Sequence, residues 1–259
     1  MHTLPRTPTH SHDSPTIHPS FPRYLGMGDI AFDAVLSSDV PLGGGLSSSA
    51  SMAVVLSTLV EELLGDAARN TVEGKTARAL RCQKAEHEYP GTMCGIMDQF
   101  ISALGQRNNA LLIDCRSAKA TPVPLESPDI KFLIFNSGVT HSLNDGQMPC
   151  GGYNQRVKSC TRAADIIRAD HPDKTIAAGA GGLRDVDLDM LMAYADKVGV
   201  GGGFDELTFK RAKHVVGENT RCQKMAALLP KAKTEADFQV SKGEGEGGAE
   251  RVRRDERSE

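Results

Sequence analysis

The segment PLGGGLSSSAS, residues 41–51, places three glycines and four serines directly before the apolar run MAVVLSTLVEELLG. The start of a helix leaves backbone N–H groups unpaired and carries the positive end of the helix dipole, so it favours an anion such as phosphate. Glycines let the backbone approach that anion closely. Serine hydroxyls can donate to it, or turn an oxygen towards a phosphate-bound Mg²⁺. The loop therefore indicates phosphate binding.

A second interpretation of the same loop is structural. Serine and glycine are common at helix starts, where a side-chain oxygen caps an unpaired N–H group. The loop also differs from the best-known phosphate motifs, because it has no lysine of the GxxxxGK[ST] kind and does not follow the spacing GxGxxG. From the residues alone, both capping and phosphate binding remain open.

The loop resembles the second conserved motif of the GHMP kinases, the superfamily of galactose, homoserine, mevalonate and phosphomevalonate kinases. In that superfamily the loop wraps the phosphates of ATP. The resemblance implies a set of ATP-binding residues: Gly43, Gly44, Gly45, Leu46, Ser47, Ser48 and Ser49.

A longer stretch, CQKAEHEYPGTMCGIMDQFISALGQRNNALLIDCRS (82–117), is similar to the galactokinase signature around the catalytic aspartate. NSGVTHSL, YNQRVKSC and FKRAKHVVGE follow in galactokinase order, so the likeness covers roughly residues 30–230. N-acetylgalactosamine kinases differ where CGIMDQF stands here, which favours galactose as the substrate.

By this resemblance Asp98 is the catalytic carboxylate beside the anomeric hydroxyl of the sugar, and it also binds the substrate. A carboxylate there can take or orient the proton of the attacking oxygen. The alternative is that Asp98 caps the helix predicted over QFISALG.

The resemblance also implies that Ser49 and Glu86 reach Mg²⁺, since hard oxygen ligands suit this ion. Gly95 and Tyr153 match positions that contact the sugar. The alternatives are a solvated helix face for Glu86 and a packing role for Tyr153. His87 lies in the same signature, and we assign it no chemistry.

The resemblance implies an ATP- and Mg²⁺-dependent kinase that converts D-galactose to galactose 1-phosphate. The alternative is a catalytically impaired relative that binds ATP or sugar without turnover. A mevalonate- or homoserine-type kinase is less favoured, because the likeness to those enzymes does not extend to CGIMDQFIS.

The chain departs from the family pattern at both ends. Nothing in it resembles the opening motif GRVNLIGEHTDYN or the late glycine loop GGGFGG; GVGGGF (199–204) precedes FKRAKHVVGE instead of following it. Thr140 also stands where galactokinases tend to carry an arginine. We therefore expect a family member truncated at both ends, with weakened stabilisation of the transferred phosphate.

Several elements must position these residues. Met52, Val55, Leu56, Leu59 and Leu63 recur at helical spacing, and DIAFDAVLSSDV (29–40) indicates an extended segment before the loop. Further helices are predicted over 76–89, 99–105, 153–168, 187–195, 209–216 and 221–229. Strands are predicted over 110–116 and 131–138, and loops over 177–182 and 199–203.

The expected fold class is α/β, a two-layer α+β arrangement: an incomplete GHMP kinase fold whose C-terminal part is more helical. We expect partial kinase domains over 23–130 and 131–235, between disordered tails at 1–22 and 236–259. His10 and His12 lie in the first tail, where an unstructured segment is favoured over a metal site.

Composition and charge indicate which classes of binding partner to expect. The formal net charge is −3 and the pI about 6.2, so nothing calls for a nucleic acid or an anionic membrane. The six cysteines form no CxxC pair, and we expect reduced thiols. We expect a cytoplasmic monomer that acts on two small molecules, ATP and D-galactose.

Overall fold

The computed structural model describes residues 35–125, 133–136, 138, 152–199 and 204–231. From Val40 onward the described residues belong to one compact unit, and residues 35–39 belong to another. Both predicted tails, Thr140 and Cys150 lie outside the described residues, as does the first half of the predicted extended segment (29–34); its second half (35–40) is described without strand structure. The other five cysteines are free thiols, as predicted.

Three helices form the first half of the unit: α1 (Ser48–Leu63), α2 (Val72–Glu88) and α3 (Met97–Leu104). Helix α2 begins four residues before the predicted start at Thr76, because Thr71 caps it: the Thr71 hydroxyl accepts from the Gly74 N–H at 3.0 Å. The apolar period alone does not reveal this cap, so the predicted start of α2 was wrong.

Helix α1 forms at the predicted residues, but the face that carries its regularly spaced apolar side chains is not the face that is buried. The side chains of Met52, Val55, Leu59 and Leu63 are exposed. The buried residues of α1 are Ala50, Val54, Ser57, Val60 and Glu61. The orientation of α1 follows from Glu61, whose ion partners lie on α2.

A buried ion pair joins α1 to α2. Glu61 and Arg78 are each only 4% exposed, and Arg78 Nε donates to Glu61 Oε2 at 2.8 Å. Arg81 donates to the other carboxylate oxygen of Glu61. Loss of one partner would leave a charge buried without compensation, which typically costs about 3–5 kcal/mol. This pair therefore fixes how the two helices face each other.

A hairpin follows α3. Strand β1 (Asn109–Asp114) pairs antiparallel with β2 (Lys119–Pro124). The sequence predicts β1 correctly, but it misses β2 because KATPVP contains two prolines, which cannot donate to a strand ladder. The strand predicted over 131–138 is not found at residues 133–136, which are described without strand structure. The described part is thus mixed helix and sheet, which agrees with the predicted α/β class.

The hairpin packs on α3 through a small apolar core. Phe100 is fully buried, together with Ala79, Ile96 and Leu104, and residues of both strands contact this cluster. Complete burial of a phenylalanine side chain contributes about 1.5–3 kcal/mol. This core holds the first turn of α3, and with it Asp98, at a fixed place beside α2.

The second half is mainly helical, as predicted. It contains α4 (Tyr153–Asp170), a 3₁₀ turn (Ala180–Asp185), α5 (Leu188–Met192), a second 3₁₀ turn (Ala195–Lys197) and α6 (Glu206–Leu228). Part of the loop predicted at 177–182 belongs to the first 3₁₀ turn. Helix α6 unites two segments that were predicted separately. No helix within the described ranges is long and apolar enough to cross a membrane.

Two crossed ion pairs connect the hairpin to the first 3₁₀ turn. Arg116 donates to both carboxylate oxygens of Asp185 at 2.8 Å, and Arg184 donates to both oxygens of Asp114. The Arg184 guanidinium lowers the pKa of Asp114, and Arg116 lowers the pKa of Asp185. Such forked pairs add geometric specificity, even though exposed charges contribute little stability.

We predict that this junction weakens in acid. A carboxylate with a lowered pKa in the folded state stabilises above its unfolded value, here 3.8, and that contribution is lost as pH falls through the folded pKa. Asp114→Asn should therefore have a lower urea midpoint than the unmodified chain at pH 6, and the difference should shrink below pH 3.8.

Asp173→Asn, at an exposed aspartate outside the junction, is the matched control. A difference between Asp114→Asn and the unmodified chain that stays constant from pH 6 to below pH 3.8 would contradict a stabilising role for the charged pair.

Candidate active site

The backbone of the glycine-serine loop changes hand from residue to residue, as it does in some anion sites, and the Gly44 N–H donates to the Pro41 carbonyl at 3.4 Å. Gly43, Gly45 and Ser47 have φ angles of 67°, 82° and 59°, so positive φ recurs at every second residue. Successive N–H groups in backbone that changes hand in this way form a concave cradle for anions. Ser47 occupies the N-cap position of α1, yet its side chain makes no capping hydrogen bond in the part of the chain that the structure describes. Capping by Ser47 therefore does not explain the loop.

Asp98 lies in the first turn of α3. The N-cap position of this helix is Ile96, so the alternative that Asp98 caps the helix is wrong. Ile96 and Phe100, buried on either side in the sequence, anchor the turn, while Asp98 remains half-buried at the surface. A carboxylate held on a rigid turn but still open to solvent can meet a substrate hydroxyl.

Residues 91–95 form a loop, here called the 91–95 loop, that is held to α2 on one side. The Cys94 carbonyl accepts from Gln83 Nε2 at 3.0 Å and lies 2.9 Å from His87 Nε2. The Thr92 N–H donates to the Glu86 carbonyl at 3.2 Å. His87 thus has a structural contact, consistent with the absence of any predicted chemistry for it.

Helix α4 holds the other side of this loop through Asn154. The Met93 N–H donates to Asn154 Oδ1 at 3.0 Å, and Asn154 Nδ2 donates to the Gly91 carbonyl at 3.0 Å. The neighbouring Tyr153 begins α4, and its hydroxyl would lie 4.0 Å from a Cβ built on Gly95. The structure therefore brings Tyr153 and Gly95 together, three residues before Asp98 in the chain.

Glu86 is half-buried and bonded, so it does not lie on a solvated helix face. Its Oε2 accepts from Gln99 Nε2 at 2.9 Å and lies 3.9 Å from Cys94 Sγ. Gln99 is only 1% exposed, and its Oε1 has no hydrogen-bond partner among the described residues. Gln99 thus fixes the direction of the Glu86 carboxylate.

The predicted metal ligands supply two hard oxygen donors. Glu61, near the end of α1, faces Arg78, in the first half of α2, and the connection between the two helices is short, so the helices run antiparallel. Ser49, in the first turn of α1, and Glu86, in the last turn of α2, therefore lie towards the same end of the two helices. No group of three or more His, Cys, Asp or Glu side chains suited to a metal occurs among the described residues. Two protein oxygens, completed by phosphate and water, nevertheless fit what Mg²⁺ requires.

Gln99 and Asn154 are the site residues that the sequence analysis missed. Both lie inside the segments that carry the resemblance, one directly after Asp98 and the other directly after Tyr153. Their contacts join residues 13 and more than 60 positions apart, and such pairings have no local sequence signal.

The sequence of the chain is similar to known proteins. Residues 20–106 match the family model of the GHMP kinases N terminal domain. The chain is 44% identical to a galactokinase of Homo sapiens over 198 residues, which is 76% of this chain and 44% of that protein. A galactokinase of Actinobacillus succinogenes is 41% identical over 197 residues, 76% of this chain and 45% of that protein.

Residues 20–106 of the chain therefore carry a GHMP kinases N terminal domain. The chain is related to the galactokinases, which confirms the resemblance seen in its motifs. The chain spans less than half the length of the human and Actinobacillus relatives, 44% and 45% respectively.

We predict that the Glu86 carboxylate suppresses the reactivity of Cys94. Burial raises the pKa of the Cys94 thiol, and Glu86 raises it further. Because the thiolate is the reactive form, Glu86→Gln should lower that pKa and speed alkylation of Cys94 by iodoacetamide roughly two- to fivefold at pH 8. Rates are measured peptide by peptide with mass spectrometry.

Glu88→Gln removes an exposed carboxylate two residues further along α2 and should leave the Cys94 rate unchanged. An equal rate in Glu86→Gln and the unmodified chain would mean that the Glu86 carboxylate does not face this thiol.

Proposed function

We propose that this chain is an ATP-dependent galactokinase, which phosphorylates D-galactose at its anomeric hydroxyl. The observation that carries the proposal is the grouping of Tyr153, Gly95 and Asp98 around one anchored loop, in a chain related to galactokinases. The Tyr153 hydroxyl and the backbone of Gly95 bind sugar hydroxyls, and they direct the anomeric hydroxyl towards Asp98.

In the proposed reaction the anomeric oxygen attacks the γ-phosphorus of ATP. A new oxygen–phosphorus bond forms as the bond between this phosphorus and the β–γ bridging oxygen breaks, which gives galactose 1-phosphate and ADP. The Asp98 carboxylate takes the proton of the attacking hydroxyl. Positioned proton transfer of this kind typically contributes about 10²–10⁴ in rate.

The phosphate side of the site uses α1 and α2. Backbone N–H groups of the glycine-serine loop bind the phosphates, assisted by hydroxyls of Ser47 and Ser48. Ser49 and Glu86 would hold Mg²⁺, which when bound neutralises charge on the transferred phosphoryl group. Gln99 keeps Glu86 Oε2 engaged, so the carboxylate is oriented before the ion arrives.

Asp98→Asn should lower kcat for galactose-dependent ADP release by about 10²–10⁴. It should leave the fold intact, because an acidic residue in a first helical turn contributes only about 0.3–1 kcal/mol. Circular dichroism and thermal melting check the fold, and a coupled ADP assay measures turnover. Full activity in a folded Asp98→Asn protein would refute the assigned role. Ligand-dependent stabilisation of the unmodified chain without ADP release would indicate the non-catalytic alternative.

Loss of a metal ligand should raise the Mg²⁺ requirement. We expect Ser49→Ala to increase the half-saturating Mg²⁺ concentration at least roughly threefold, and Glu86→Gln to increase it more, because a carboxylate is the stronger ligand. Ser51→Ala, one half-turn further along α1, is the matched control. Identical Mg²⁺ titrations for Ser49→Ala and Ser51→Ala would exclude Ser49 as a ligand.

A further inference from the structure

Both polar atoms of the Asn154 side chain form hydrogen bonds with the 91–95 loop. The amide oxygen accepts from the Met93 N–H and the amide nitrogen donates to the Gly91 carbonyl, both at 3.0 Å. The amide nitrogen and oxygen of Asn154 therefore bind two backbone groups of the same loop. Asn154 is half-buried on the first turn of α4, adjacent to Tyr153 in the chain.

The hydrogen bonds of Asn154 connect the 91–95 loop with α4, and each of these is also held by other contacts. Cys94 and Thr92 hold the loop to α2 through Gln83, His87 and the Glu86 carbonyl. Helix α4 is anchored by its own apolar core, whose members on the helix are Cys160, Ala163, Ala164 and Ile167. The contacts named for these two anchors do not join the start of α4 to the loop. The two hydrogen bonds of Asn154 do join them.

The distance between the start of α4 and the loop is also the distance across the proposed sugar site. Tyr153 precedes Asn154, and Gly95 lies two residues after Met93, so the hydrogen bonds of Asn154 help to determine how the Tyr153 hydroxyl stands relative to Gly95. A displacement of about 1 Å at a reacting or binding group can reduce rate up to about 100-fold.

We propose that Asn154 is a positioning residue for the sugar: it holds the Tyr153 hydroxyl at the 91–95 loop so that the two can bind one galactose together. The proposal rests on the proposed function. It assigns Asn154 to the sugar, because its two hydrogen bonds go to the Met93 N–H and the Gly91 carbonyl, and neither goes to the glycine-serine loop or to Glu86.

The test compares two variants of Asn154 in the full chain. Asn154→Ala removes both hydrogen bonds. Asn154→Asp keeps the acceptor for Met93 and loses the donor to Gly91, and an acidic residue in the first turn favours the helix, so this variant protects the fold. Gln155→Ala removes an exposed amide from the next position of the same helix and is the matched control.

We expect the KM for galactose to rise roughly tenfold or more in Asn154→Ala and to rise also in Asn154→Asp. The KM for ATP should stay within about twofold of the unmodified value, because the variant removes no direct contact to the glycine-serine loop or to Glu86, and α2 still holds the 91–95 loop. Galactose should lose its thermal stabilisation of Asn154→Ala, while ATP keeps its own. Gln155→Ala should match the unmodified chain in every measurement.

A purely structural role predicts a different result: a lower melting temperature and fewer active molecules, with both KM values unchanged. That result would overturn the proposal while leaving the proposed function intact. If the folded, unmodified chain neither releases ADP with galactose nor is stabilised by it, the proposed function fails, and the positioning role fails with it. The behaviour of the unmodified chain thus separates the two failures.

Discussion

The buried ion pair between Glu61 and Arg78 is the constraint on which the first half of the structure depends. A charge that is 4% exposed needs its partner in place, so α1 cannot rotate or slide against α2 without a penalty of several kcal/mol. That requirement turns a polar face of α1 inwards and sets the antiparallel register of the pair. The glycine-serine loop at the start of α1 and Glu86 near the end of α2 thereby lie at the same end of the two helices.

The 91–95 loop connects α2 with the residues that are proposed to bind the sugar. It leaves α2, is bonded back to that helix through Gln83 and His87, and leads into α3, whose first turn carries Asp98. Asn154 then adds α4 to the same loop. One short segment thus joins three helices, and each contributes a different group: a candidate metal ligand, a candidate base and a candidate sugar contact.

Local patterns predicted much of this arrangement. Helical spacing predicts α1, α2, α4 and α6, which the structure contains, and the motif around CGIMDQF is the basis for proposing Asp98 as the catalytic carboxylate. The buried face of α1 could not be predicted, because hydrophobicity favours the stripe of Met52 and Leu59, while the packing follows Glu61. Strand β2 could not be predicted, because its sequence contains two prolines, which are uncommon within strands. Gln99 and Asn154 could not be predicted as site residues, because their hydrogen-bond partners are distant along the chain.

The two sides of the site differ in how firmly they are held. The phosphate side rests on a buried ion pair, which solvent and salt screen only weakly. The sugar side includes Tyr153, and the helical half that carries it is joined to the hairpin by exposed pairs of Arg116 and Arg184, which salt and acid weaken. Conditions that loosen the helical half should therefore affect the proposed sugar site before the proposed phosphate site, and the hydrogen bonds of Asn154 oppose a separation of Tyr153 from the 91–95 loop.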